Sequence, residues 1–151
     1  MYSRQEASRI RQDFWTAFGR YMQPIRSSEG EEINWVNYKT GIKHIHFRMH
    51  AGKGASIGIE ITHKDEQLRQ QYFARFVQLK NIFRDVMKEE WLWMENAKDE
   101  NDKPISCIYV EMKGVVIMNK GHWPQLISFF KPRIIALDEF WNLVKDGFEM
   151  I

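Results

Sequence analysis

The chain's 151 residues, 44% hydrophobic, 28% charged and 14% aromatic, fit one compact soluble domain over residues 1–151 whose ten Phe, six Trp and five Tyr supply a core without metal or disulfide help. One cysteine, Cys107, excludes an internal disulfide and a cysteine-cluster zinc site, and no run approaches the ~18 apolar residues of a membrane span. A formal charge of +2 is too small for a generic nucleic-acid or membrane binder.

The opening segment MYSRQEASRI has no secretory apolar stretch, so a reducing, cytoplasmic setting is expected. Charge is unevenly spread: residues 1–53 hold nine basic and five acidic side chains, residues 88–113 four basic and seven acidic. That polarity suits one basic face, self-association between unlike ends or, as is commonest, solvated surface charge with no partner.

Ala7, Ile10, Phe14, Ala17, Phe18 and Tyr21 recur at three- and four-residue steps, which predicts a helix over residues 3–22. Ser3 with Glu6 forms its capping box, Pro24 follows its end, and Arg9 with Asp13 is spaced to pair on the wet side. Residues 23–32 read as a loop. Residues 33–38 suggest a short strand.

From residue 44 the period drops to two. Ile45, Phe47 and Met49 alternate with His44, His46, Arg48 and His50; after Ala51-Gly52-Lys53-Gly54, Ile57, Ile59 and Ile61 alternate with Ser56, Gly58, Glu60 and Thr62. This predicts a hairpin. With both apolar rows on one face, Phe47 stands opposite Ile59 and His46 opposite Glu60.

Thr62 with Asp65 suggests a second capping box, and Leu68, Tyr72, Phe76, Leu79, Phe83 and Val86 extend a helical stripe to about residue 88. Residues 91–94 and 105–112 form a second hairpin across a charged turn. Pro124 marks the start of a last helix that carries Leu126 to Val144, with Pro132 predicting a kink or two abutting helices. The order α-ββ-α-ββ-α implies an α+β fold, a mainly antiparallel sheet of four or five strands covered by helices on at least one face.

Three chemistries compete for the row His44, His46, Arg48, His50 and Glu60. In the first, His44, His46 and Glu60 hold zinc or manganese, with His63 just beyond; side chains two apart on a strand lie about 7 Å from each other, so both rotamers must lean together. In the second, Arg48 and the histidines form a strip for phosphate, edged by Lys43 and Lys53. In the third, the commonest for such groups, His46 hydrogen-bonds Glu60, Arg48 reaches the same carboxylate, and a helix covers a satisfied polar layer.

No phosphate loop, HExxH pair, nucleophile elbow or dinucleotide fingerprint is present. Cys107 shares the parity of Ile105 and Tyr109 and reads as a small buried side chain. Trp91 and Trp93 have the spacing of a base-stacking platform, but Glu89, Glu90 and Glu95 around them repel phosphate, so packing is the expected role.

Phe14-Trp15, Asn34-Trp35, Tyr38-Lys39-Thr40-Gly41, Ile57-Gly58-Ile59-Glu60 and the tail from Phe129-Phe130 to Phe140-Trp141 resemble the uncharacterised bacterial family of domains of unknown function numbered four-two-six-eight. The resemblance covers nearly the whole chain and carries no assigned activity. A domain of this type can follow a nuclease-like segment, which invites comparison with the PD-(D/E)xK nucleases. Those enzymes hold a divalent metal between an acidic residue on one strand and Glu-x-Lys on the next. Here Glu60-Ile61-Thr62 takes the second place, Lys64 reaches back only with difficulty, and residues 43–59 contain no aspartate.

The reading is therefore a non-enzymatic cytoplasmic interaction domain, accessory to nucleic-acid-processing proteins, with no cofactor. It binds a macromolecular partner or itself, as a homodimer, through the face bearing His44, His46, Arg48, His50 and Glu60. Its alternative is a metal-dependent phosphodiesterase using Glu60 and Lys64.

Overall fold

A computed structural model describes residues 2–151. Helix α1 runs Arg4–Met22; Ser3 caps it, its Oγ accepting the Glu6 N–H at 3.1 Å, as the capping box predicts. Phe14, Phe18 and Met22 form its buried stripe, whereas Tyr21 is exposed and packs on Lys131. The expected Arg9–Asp13 ion pair is not formed among the described residues.

Residues 33–38 contain no strand. The segment is pinned by side chains instead: Asn34 Oδ1 accepts the Val36 and Asn37 N–H groups, Trp35 Nε1 donates to Ile25 O at 2.8 Å, and Tyr38 stacks on Phe47. A buried carboxylate anchors this loop to the last helix. Asp138, 1% exposed, accepts from Ser28 N–H (2.7 Å), Tyr38 Oη–H (2.5 Å) and Asn142 Nδ2–H (3.1 Å). Burial and that bond to Asp138 push the Tyr38 phenol far above its ordinary range.

The hairpin forms as one continuous extended element, β1 (Ile45–Ile61), that folds back on itself. Thr62 N–H donates to His44 O at 2.9 Å, the bond that follows when Phe47 stands opposite Ile59. Gly54 sits at the tip with φ +90°, a left-handed position that favours glycine.

The expected long second helix is two. Asp65, not Thr62, caps α2 (Glu66–Gln78), its Oδ1 accepting from Gln67 and Leu68 N–H. The chain breaks at Leu79 and restarts as α3 (Lys80–Met87), which ends at Lys88 in the left-handed region. Both segments still face the core through Tyr72, Phe73, Phe76 and Phe83, so the apolar stripe passes over the break.

Strands β2 (Leu92–Lys98) and β3 (Pro104–Val116) form the second hairpin. The sheet order is β1-β3-β2, with Ile59 opposite Ile108 and Trp93 opposite Ile108 on its other side. Counting both arms of β1, four antiparallel arms lie side by side. Helix α4 (Trp123–Val144) starts with Pro124 in its first turn and continues through Pro132, so the predicted division into two helices does not occur. Ser128, whose carbonyl loses the missing Pro132 donor, is exposed and open to water.

All four helices pack on one face. Ile57, Ile59, Ile61, Phe47, Ile108 and Trp91 meet Phe76, Phe83, Phe130, Phe140 and Trp141 in a single core. Trp91 and Trp93 pack edge-on against Phe83, which settles them as core aromatics. Arg133 ties the layers together, bound through Nε and Nη2 to both Glu89 oxygens at 2.8 and 3.0 Å.

Candidate binding face of the sheet

Alternation assigns the residues left over to the opposite face of the sheet. Across it run the rows Glu60, Cys107, Met94 and Gly58, Tyr109, Leu92, each in direct register. Among the described residues no helix covers them. The expectation of a polar layer sealed beneath a helix is therefore corrected: the antiparallel sheet is packed on one side only, and the other side is a groove of about 620 Å³ walled by the turn between β2 and β3.

Gly58 is the low point of the floor. A Cβ there would lie 2.5 Å from Ile108 O and 2.6 Å from Tyr109 Cβ, so only glycine allows the two central arms to approach this closely. Leu92 and Met94, 50% and 42% exposed, flank Tyr109. Ile105 and Cys107 are buried but belong to this outer face and not to the main core.

Glu60 is a sheltered charge in the groove, its side chain 18% exposed. Of its two expected partners Arg48 is present, but His50 takes the place of His46. His50 Nε2 lies 3.1 Å from Glu60 Oε2 and Arg48 Nε 3.8 Å from Oε1, while His46, set opposite Glu60 by the hairpin register, makes no hydrogen bond to it. The hydrogen bond to Glu60 raises the His50 pKa. Burial, then the neighbouring Arg48 charge, lowers that of His46.

The metal set does not assemble. His44 turns to the sheet end, its ring 4.3 Å from that of His63, which is stacked on Tyr72 at 4.8 Å. Burial and His44 depress the His63 pKa. Among the described residues no three His, Cys, Asp or Glu side chains converge as metal ligands. Lys64 is exposed beyond the strand and is not part of the groove lining. The structure thus brings together Arg48, His50 and Glu60, keeps His46 beside Arg48 without a bond to Glu60, and turns His44 away to His63.

Two groups escaped the sequence reading. Glu100, on the β2–β3 turn, places Oε1 3.8 Å from His50 Nδ1, and Tyr109 covers Gly58. The parity of Tyr109 was visible; the reach of a turn residue across two strands leaves no periodic trace. Cys107 has the parity expected of it, beside Glu60 in the register, and burial followed by the Glu60 charge raises its thiol to about 11.

The family described as Domain of unknown function (DUF4268) matches residues 10–145, most of the chain. The chain belongs to this family. No curated protein and no solved structure matches it. The DUF4268 match runs from within α1 to the end of α4 and so includes the whole sheet and its open face. Among the described residues of this DUF4268 member, no helix is long and apolar enough to cross a membrane.

Proposed function

We propose that this DUF4268 chain is a non-catalytic interaction domain that docks a protein partner on the open face of its sheet. The observation that carries the reading is the exposure of Leu92 and Met94 beside Tyr109, on a sheet face with no helix over it. Tyr, Met and Arg are the residue types enriched at protein interfaces, and an apolar patch rimmed by charges is what such surfaces present. Pairing along the β2 edge is disfavoured, because a register shift between Met94 and Ala97 and the charges of Glu95 and Lys98 guard it. The face, not the edge, is what remains to dock.

Chemistry in the groove favours binding over catalysis. Both ring nitrogens of His50 face carboxylates, which favours imidazolium over a free base, and the Cys107 thiol is held away from its nucleophilic form. A lone buried cysteine suits the reducing cytoplasm.

The test is selection of displayed peptides on the immobilised chain. Peptides whose chemical-shift footprint covers Leu92, Met94 and Tyr109, and whose binding is lost with Met94→Lys, support the reading; a footprint confined to the helices overturns it. Tight binding of a short duplex or single strand that collapses as salt rises would assign the face to nucleic acid and overturn the protein reading.

A further inference from the structure

His50 joins two carboxylates that belong to different parts of the fold. Glu60 is fixed in the central sheet and braced by Arg48, whereas Glu100 sits on the β2–β3 turn that walls the groove. That turn is held together from within. Asp99 Oδ1 accepts the N–H groups of Asn101 (2.8 Å) and Lys103 (3.0 Å), Asp99 N–H donates to Lys103 O (2.9 Å), and Lys98 pairs with Asp102 (3.4 Å). The turn is thus internally bonded as one unit, and the Glu100–His50 contact is the ion pair that ties it to the hairpin.

An imidazolium donates from both nitrogens; a neutral imidazole has one N–H and one lone pair. Only the protonated ring can therefore face both carboxylates favourably. Losing the proton leaves one carboxylate against a lone pair, and the shorter contact, to Glu60 at 3.1 Å, is the one retained over that to Glu100 at 3.8 Å. We propose that His50 is the pin of a proton-operated latch, closing the β2–β3 turn over the groove when charged and releasing it when neutral.

The groups around the ring set the direction. Glu60 of the returning arm and Glu100 of the turn favour the charge, and Arg48 on the same arm opposes it. The hollows beside the ring are lined by Arg11 of α1, Lys53 of the hairpin tip and Glu111 and Lys113 of β3, by His46 and Lys39 on the side of the loop, and by Lys98 and Asp99 on the side of the turn, of mixed sign. Release widens the groove and uncovers its apolar floor at Ile105 and Cys107. This inference rests on the docking face proposed above, yet it concerns the free chain, so the two are tested separately.

The experiment follows nuclear Overhauser contacts between the His50 ring and the Asp99–Asn101 segment, with nitrogen relaxation of that turn, at about pH 5.5 and about pH 8.5. The full chain is compared with Glu100→Gln and His50→Gln. The wild-type contacts should weaken about two- to fivefold at the higher pH, the range an exposed ion pair supplies, with the turn becoming more mobile. Glu100→Gln should show weak contacts at both pH values, and the turn of His50→Gln should be mobile at both. Unchanged wild-type contacts across this range, or a pH response of the turn that survives either substitution, would overturn the latch. A responding turn with selected peptides bound elsewhere leaves the latch standing and removes the docking face.

Discussion

His50 Nε2 lies 3.1 Å from Glu60 Oε2 on the uncovered side of the sheet. Because this bond raises the His50 pKa above its ordinary value near 6.5, the folded state holds the proton more tightly than the unfolded chain does. The resulting stability is complete below that ordinary value and fades as pH rises through the folded one. Denaturant titrations of wild type and His50→Gln should differ most at mildly acidic pH, by no more than about 1 kcal/mol since the ring is half exposed. The gap should shrink toward alkaline pH. A gap that grows with pH would contradict the assignment of Glu60 as the partner that matters.

The Asp138 cluster is a second test, this time of stability alone. Asp138→Ala removes the acceptor from Tyr38 Oη–H, Ser28 N–H and Asn142 at once, at a carboxylate that is itself buried while its donors are partly exposed. The expected loss is about 1–3 kcal/mol, the cost of leaving partly buried donors without their acceptor, which corresponds to a fall in melting temperature of roughly 3–10 °C. Tyr38→Phe, which deletes a single donor, should cost clearly less. Equal losses from the two substitutions would show that the carboxylate does not organise the loop.

Gly58 offers a backbone test of the groove floor. Gly58→Ala places a methyl 2.5 Å from the Ile108 carbonyl oxygen, and neither strand can yield without disturbing the Ile59–Ile108 pair beneath. Overpacking of this kind costs about 1–3 kcal/mol. Gly52→Ala at the hairpin tip meets nothing within 4 Å and serves as the control, expected to be neutral or slightly stabilising. Urea unfolding of the two variants decides the matter.

What the residues disclosed in advance follows the range of the forces involved. Alternation is local, so the two faces of β1, the hairpin register and the parity of Cys107 and Tyr109 could be read from Ile45 to Met112. Whether the polar face has a lid depends on where distant helices send their stripes, and in this chain all four turn to the other side. The partner of Glu60 was misassigned for a related reason. Flat-sheet register places His46 nearest, but side-chain reach and sheet coiling bring in His50 from the same arm. The break at Leu79 was hidden because Phe76 and Phe83 keep the stripe intact across it, and of the two outcomes expected at Pro132 the division into two helices is absent because one lost bond in a long, well-packed helix is tolerated.

The thiol of Cys107 provides a last check on the outer face. Its 8% exposure and its neighbour Glu60 both disfavour the thiolate, and a value of about 11 in place of 9 leaves about 100-fold less of the reactive form near neutral pH. Modification by a disulfide reagent should therefore be slow in the folded chain and become fast in urea. Glu60→Gln removes the repelling charge without changing shape, and should speed the reaction modestly, because burial is the larger cause. If Glu60→Gln left the rate untouched while Met94→Ala raised it sharply, access past the Met94 side chain, and not the electrostatics of the Glu60–Cys107 row, would be what protects the sulfur.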